Sequence, residues 1–433
     1  MSTQSPWRRP DFRTLFTATA FSQLGGGIGY VALPLIAVSV LGASAGQVGL
    51  LATLSTVAFL LIGLPAGAWV DRMRHRQVLI AADLARGALC ASVPVAWWLD
   101  VLTLGQLYAV ALLNGCATVF FDVGSQSVLP SLVGRDGLVR ANAAVVSLQA
   151  AGNVGGRGAG GGIVQLLGAP VAVVGTAVLH LASALRLTGM RVAREQKAGA
   201  GPGPGSGSGE SRRLRAQIAE GLRHVLGDKE LRALALTASL TNLGTQTVNT
   251  LLPVLFTREL GLSAGVLGLY LAVGGVGVFL GARCARPLAS RLGHGRALGA
   301  AGICLAPCAL LIPLVDRGPW FWLASAGWLL STFKMGVDNV LGVSLRQRLT
   351  PDPLLGRMNA TFRFMLTGAV AVGSAVAGLV GEFAGVHTAL WAGGCCLALA
   401  FVPVFLSPVR GRRELPQQPP VFHGPGRKPA AQG

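Results

Sequence analysis

The chain has 433 residues, of which 52% are hydrophobic and only 12% charged; that is about half the charged share of a soluble protein. So little charge cannot cover a soluble surface, and with 61 glycines and a mean hydropathy of +0.58 lipid is the solvent for most of the chain. The net charge of +19 would point to nucleic acid in a soluble domain, whereas in a membrane protein it records topology.

Apolar runs of about 20 residues, the length a helix needs to cross the hydrocarbon core, fall near 13–41, 46–70, 78–99, 104–128, 140–166, 169–190, 231–257, 263–287, 296–315, 319–348, 356–383 and 386–407. The first follows Arg8, Arg9 and Arg13. It is too long and too rich in glycine for a cleaved signal, and no small-residue cleavage site follows it, so it reads as a retained span. The basic residues occupy alternate loops. One side holds Arg8, Arg9 and Arg13, then Arg72, Arg74 and Arg76, then Arg135 and Arg140, the 191–230 segment, Arg283 to Arg296, Arg346 to Arg357, and Arg410, Arg412 and Arg413; the other carries Arg258 and Arg317. The positive-inside rule then predicts both termini and the central loop in the cytoplasm. Spread along one face without interleaved aromatics, this charge does not form a nucleic-acid site. The seven cysteines lie in or beside apolar spans without zinc spacing, and packing is their expected role.

The chain is written twice. Residues 24–50 and 243–269 align without gaps at an offset of 219, with identities that include Leu24/Leu243, Gly25/Gly244, Pro34/Pro253, Gly42/Gly261, Ser44/Ser263, Gly46/Gly265 and Gly49/Gly268. Further on, Ser127, Leu132, Leu138, Arg140 and Asn142 match Ser344, Leu349, Leu355, Arg357 and Asn359 at an offset of 217. The expectation is an all-α membrane protein with twelve transmembrane helices in two pseudo-symmetric six-helix bundles. The halves are placed at 1–190 and 231–407, with a cytoplasmic linker at 191–230 and a disordered cytoplasmic tail at 408–433. Parallel repeats of this kind put a binding site between the halves near the midplane. Within the linker, 199–209 is glycine-, proline- and serine-rich. Leu214, Ile218, Leu222, Val225 and Leu226 then recur at helical spacing among Arg212, Arg213, Arg215 and Arg223, which predicts a basic amphipathic helix on the inner leaflet.

Between the second and third spans stands Gly67-Ala-Trp-Val-Asp71-Arg72-Met-Arg74-His75-Arg76. Gly67, Asp71, Arg72 and Arg76 resemble the cytoplasmic loop motif of the major facilitator superfamily, G-x-x-x-D-R-x-G-R-R, with Arg74 and His75 as departures. Gly67 permits close helix approach. The resemblance implies a charge network that latches the halves in an outward-facing state; the plain alternative is an ordinary positive-inside loop. In the fifth span, Gly152, Gly156, Gly160 and Gly161 resemble the antiporter motif of drug exporters, G-x-x-x-G-P-x-x-G-G, with Arg157 where proline is expected. Small residues so spaced pack helices backbone to backbone. A cation within a span costs roughly 2.5–3.5 kcal/mol, so Arg157 either faces substrate or is a drifted position that snorkels. Phe120-Phe121-Asp122 to Pro130, Arg140-Ala-Asn142, Glu220-Gly-Leu-Arg223 to Arg232, and Ser344 to Ala360 are similar to the bacterial enterobactin-exporter and macrolide-efflux branch. That branch implies a multi-pass protein of the bacterial inner membrane which exports siderophores, macrolides or related compounds using protons.

Polar residues inside a membrane are functional candidates. Asp122 either relays protons or pairs with Arg72 or Arg76. Lys334 and Asp338 stand at i and i+4 on one helix face and form either a titrating pair or a structural one. His180 is of a type that titrates near neutral pH, though packing is its commoner use. Gln23, Gln149, Asn153, Asn242, Gln246 and Asn249 are candidates for a cavity between the halves or for polar helix–helix contacts. The leading reading is a monomeric secondary transporter, a proton-coupled exporter of a small amphipathic compound by alternating access, without cofactor or metal and without a nucleic-acid partner. The alternatives are a non-transporting sensor or scaffold on the same fold, and an integral membrane enzyme. The enzyme needs motifs such as D-D-x-x-D or H-x-x-x-x-D, which the sequence lacks. It also lacks a phosphate-binding G-x-x-x-x-G-K-[ST] loop.

Overall fold

The computed structural model describes residues 6–190, 220–351 and 354–412, apart from the side chains of Pro6, Leu64, Ala68, Asp71, Arg135, Asp136 and Val139. The described chain is helical throughout. We number the membrane helices α1 (Pro10–Ser39), α2 (Ala45–Arg72), α3 (His75–Trp98), α4 (Leu104–Gly134), α5 (135–167), α6 (Ala169–Thr188), α7 (Lys229–Val254), α8 (Ala264–Leu292), α9 (His294–Leu305, extended by a 3-10 segment Ala306–Leu314), α10 (Pro319–Leu349), α11 (Leu355–Phe383) and α12 (Val386–Leu399). The helical run Leu104–Leu167 breaks at Gly134, whose φ of 70° only glycine adopts at little cost.

Nine of these, α12 counted together with its continuation to Leu406, are long and apolar enough to cross a membrane by length and composition. The three that fall short are α5, α7 and α10. They carry Gln149, Asn153 and Arg157, then Asn242, Gln246 and Asn249, then Lys334 and Asp338. A helix that meets protein or a cavity on one side does not need a wholly apolar circumference; α7 buries most of its second half, whereas α5 leaves Val146, Leu166 and Leu167 exposed. Lipid-facing positions are apolar instead: Leu185, Leu399 and Phe383 are exposed. Trp97, Trp98, Trp320 and Trp322 ring the face opposite the termini, as aromatics do at a membrane interface.

The sequence repeat is visible as repeated geometry. Gly25 on α1 packs against Thr176 and Leu179 on α6, and Gly244 on α7 packs against Gly393 and Leu397 on α12. The turns after α5 and α11 are made by Gly168 and Gly385, with φ of 87° and 90°. Ser44 caps α2 in a capping box with Gln47, and its counterpart Ser263 caps α8 through Val266 N.

The two halves are joined backbone to backbone at the end away from the termini. A Cβ on Gly49 of α2 would overlap the Cα of Gly378 on α11. The symmetry-related contact sets Gly161 of α5 against Gly268 of α8, where a Cβ would come within 2.5 Å of Cα. Beside each pair a side chain from one half caps a helix start in the other. Glu382 Oε2 accepts from Gly46 N at 2.8 Å, and Gln165 Oε1 accepts from Ser263 Oγ at 2.8 Å. Toward the terminus-bearing end the cross-half contacts are made by side chains: Arg363 lies over the Phe59 ring at 4.6 Å and Leu60 touches Gly368.

Two expectations change here. A Cβ on Gly67 would meet nothing within 4 Å, so in this conformation that glycine does not seat a neighbouring helix. The reason is that the halves are clasped at the other end. Of the expected surface helix, Leu214, Ile218, Arg212, Arg213 and Arg215 lie outside the described residues, as does Arg413 of the tail. Residues 220–227 are helical, with Leu222 and Leu226 exposed but Val225 fully buried in the core of the C-terminal half. The segment therefore docks on protein as well as facing outward. Arg357 pairs with Glu220, and Arg412 pairs with Glu230 at 2.7 Å, which ties the end of the described chain to α7.

Gly49→Leu should force α2 and α11 apart. Overpacking costs about 1–3 kcal/mol, which corresponds to roughly a 5- to 150-fold shift toward the conformation open at that end. Spin-label distances between the start of α2 and the end of α11 should lengthen, and an unchanged distribution would refute the contact.

Candidate functional site

Pro34 on α1 and Pro253 on α7 are repeat equivalents, and both line a cavity of about 240 Å³ between the halves. Val48 and Leu267, and Ala52 and Leu271, are further equivalent pairs on its wall. The cavity therefore sits on the pseudo-twofold axis. Its polar groups are Tyr30, Ser55, Thr56, Asn114, Thr176, His180, Gln246, Asn249 and Thr250. Gln246 donates to Thr250 Oγ1 at 3.2 Å, whereas the buried oxygens Asn114 Oδ1 and Asn249 Oδ1 receive no hydrogen bond. Acceptors of that kind are costly to bury and are available to a ligand. The volume lies just below the roughly 300–1,000 Å³ of a drug-sized pocket.

Of the neutral candidates, Gln246 and Asn249 line this cavity and the other four do not. Gln23 packs against Gly152, Asn153 Nδ2 donates to Gln149 O at 2.9 Å on its own helix, and Asn242 lines a separate cavity inside the C-terminal half. The glycine motif explains part of this sorting. Gly152, Gly156 and Gly160 form one stripe against Gln23, Gly27 and Ile28 of α1, and Gly161, one residue on, turns toward α8. With α1 and α5 in backbone contact, Gln23 becomes a packing residue. The Arg157 guanidinium lies 4.2 Å from the centre of the Tyr30 ring on α1, a cation–π contact. It thus reaches the cavity wall through Tyr30.

Lys334 and Asp338 form an ion pair of 2.7 Å. They line the separate cavity of about 120 Å³ with Thr237, Asn242, Arg346 and Phe362, within the C-terminal half and away from the axis. Arg76 does not turn to Asp122: it donates to Leu187 O at 3.3 Å and to Thr188 O, closing the end of α6 within its own half. Asp71's side chain lies outside the described ones. Asp122 is within electrostatic reach of Arg86 on α3 and of Arg363 on α11 in the other half.

Sequence reasoning missed Asp83 and Arg86. They lie in the third apolar run, seven and ten residues beyond Arg76, outside the loops whose charge marks the topology. The signal was present: an acid and a base at i and i+3 inside an apolar run are a paired buried charge. Asp83 is fully buried and Arg86 nearly so, joined at 3.1 Å. His180 stands beside them, with Nδ1 3.7 Å from Asp83 Oδ1.

Comparison with known proteins assigns the architecture and then the family. The fold matches that of the nucleoside transporter NupG, with a TM-score of 0.73 at 13% identity over 92% of this chain and 99% of that one. It also matches a bacterial homologue of the iron transporter ferroportin in an inward-facing state, with a TM-score of 0.69 at 18% identity over 93% and 98%. This is the major facilitator fold of twelve helices in two bundles. The chain belongs to the MFS_3 family of transmembrane secretion effectors, matched over residues 1–426, which is a transporter family and not an enzyme family. It is 28% identical to the multidrug efflux pump Tap of Mycolicibacterium fortuitum over 412 residues, 93% of this chain and 97% of that protein. With Tap of Mycobacterium tuberculosis it shares 31% over 237 residues, and there the chain spans about half, 54%, of the relative's length. It is 26% identical to the enterobactin exporter EntS of Salmonella typhimurium over 383 residues, 86% of each chain.

Removing one partner of a buried ion pair costs about 3–5 kcal/mol, while replacing both by apolar residues is close to neutral. Lys334→Met should therefore lower the unfolding temperature in detergent sharply, and Lys334→Met/Asp338→Leu should recover most of the loss. Equal losses in the single and double variants would contradict a structural pair.

Proposed function

We propose that this protein is a secondary exporter that moves a small amphipathic compound through the axial cavity by rocking its two halves. The observation that carries the reading is a cavity on the pseudo-twofold axis, walled by equivalent residues from both halves and closed at one end by glycine pairs that a rigid rotation would separate. The relatives that pump drugs or export enterobactin support an outward direction and a substrate of mixed polarity. Tyr30, Asn114, Gln246 and Asn249 suit such a substrate, because they offer neutral hydrogen bonds on an otherwise apolar wall.

The one-sided arginine pattern supports a cytoplasmic location for the terminus-bearing face in the bacterial inner membrane. The opposite face carries Arg258 and Arg317, and both are tied to backbone carbonyls: Arg258 to Val38 O at 3.3 Å and Arg317 to Leu260 O at 2.7 Å. On that orientation the clasped end is external and the conformation is inward-facing. Residues 1–190 and 231–407 act as the two moving bodies of a monomer, joined through 191–230. Protons supply the drive, taken up by ionisable groups buried within the halves.

Vesicles reconstituted with the cytoplasmic face outward and an acidic lumen should accumulate ethidium or enterobactin. One pH unit is worth about 1.36 kcal/mol, so each coupled proton supports up to about tenfold accumulation per unit of gradient. A protonophore should abolish it. Uptake that is the same with and without the gradient would contradict proton coupling.

A further inference from the structure

The two halves repeat each other in packing but not in buried charge. Position 180 carries His in α6, and its repeat equivalent in α12 is Leu397; position 183 carries Ser, and its equivalent is Ala400. Conversely, Lys334 and Asp338 of α10 correspond to Ala117 and Phe121 of α4. The group formed by Asp83, Arg86, Ser22, Ser183 and His180 therefore exists only in the N-terminal half, so it is not part of the scaffold that the repeat has to preserve.

Its hydrogen bonding is unequal. Asp83 Oδ1 accepts from Ser22 Oγ at 3.1 Å and from Arg86 Nη1 at 3.1 Å, and Arg86 Nη1 also donates to Ser22 Oγ at 2.7 Å. Asp83 Oδ2 is buried and receives no hydrogen bond. Ser183 lies within hydrogen-bonding reach of the carboxylate, with its hydroxyl directed to Ala18 O at 2.8 Å. His180 Nδ1 makes no hydrogen bond, since 3.7 Å to Asp83 Oδ1 is beyond the usual 2.7–3.2 Å range. Asp83 Oδ2 is thus left without a donor, and through Oδ1 the same carboxylate stands 3.7 Å from an imidazole nitrogen that makes no hydrogen bond. His180 also lines the axial cavity, so it connects that carboxylate to the transport route.

We propose that Asp83 is the proton-carrying group of the N-terminal half and that His180 is its relay to the axial cavity. A proton from the cavity binds the imidazole, which becomes imidazolium. It then passes to the Asp83 carboxylate, leaving neutral imidazole and a carboxylic acid. Arg86 keeps its charge and its bond to Ser22, so the cluster goes from net zero to net +1 as it loads and returns to zero as the proton leaves by the same imidazole. Among the described residues, the other titratable or charged groups around it are Cys90 on α3 and Asp122 on α4, through Arg86; α1 contributes the neutral Ser22 hydroxyl and the Ala18 carbonyl. The inference rests on the proton-coupled reading above and names its site.

The test is infrared difference spectroscopy of the full chain in lipid vesicles between alkaline and acidic buffer, which reads a protonated carboxyl directly and needs no substrate. Wild type should show a carboxylic C=O band that Asp83→Asn abolishes, Asp83→Glu restores at a shifted position, and His180→Gln slows in its appearance after a pH jump. Asp122→Asn and Lys334→Met/Asp338→Leu should retain it. A merely structural Asp83 would leave no such band to remove, and the Asp83→Glu variant shows whether loss in Asp83→Asn reflects chemistry or misfolding. The absence of the band in wild type, or its survival in Asp83→Asn, would overturn the assignment. A band that behaves as expected in a protein whose flux ignores the pH gradient would instead refute coupling while leaving Asp83 as the titrating site.

Discussion

Two backbone contacts, Gly49 against Gly378 and Gly161 against Gly268, hold the arrangement together. No side chain intervenes at either, so the halves approach as closely as helices can. Such a contact has no intermediate setting, being either made or broken as the halves rotate. The pairs lie at one end of the molecule and are related by the repeat, so breaking both is one rigid motion about the axis that passes through the cavity. The capping interactions of Glu382 with α2 and Gln165 with α8 would open in the same movement. Everything proposed about transport follows from that geometry: where the cavity lies, which end is closed, and why a larger side chain at these glycines is costly.

The proline pair at 34 and 253 fits the same plan. Proline removes a backbone hydrogen bond and bends a helix, and here both prolines line the cavity from equivalent helices. Tyr30 and Asn249 are also repeat equivalents on that wall. One carries the cation–π contact to Arg157, and the other leaves an amide oxygen open to the cavity. The scaffold is thus symmetric while the chemistry on it is not, as expected when a duplicated fold binds an asymmetric molecule.

Much of the fold was legible in the sequence because it depends on features that residue type records directly. Apolar length gave the helices, and the offset of 219 in Gly25/Gly244, Pro34/Pro253 and Gly49/Gly268 gave the repeat. Glycines at helical spacing marked close packing, although they could not tell which neighbour Gly161 would meet. The site was less legible. Gln246 and Asn249 face the cavity and Gln23 does not, a distinction set by which side of each helix the glycine stripe claims. Lys334 and Asp338 were visible as a pair, but i,i+4 spacing is silent about whether a pair faces the axis or the interior of one bundle. Asp83 and Arg86 stand at i,i+3 in an apolar run, a spacing that does not show what they meet, and only the packing of α1, α3 and α6 brings Ser22 and His180 to them.

Alternating access about the glycine clasp is the central claim, and a reversible cross-link across it is the most direct test. A Cβ on Gly381 would lie 3.1 Å from the Ala45 Cβ, close to the roughly 3.5–4.5 Å of a disulfide. In a background with the native cysteines replaced, Ala45→Cys/Gly381→Cys should form a disulfide on oxidation, stop transport, and regain it on reduction. Full transport by the oxidised, cross-linked protein would contradict the account.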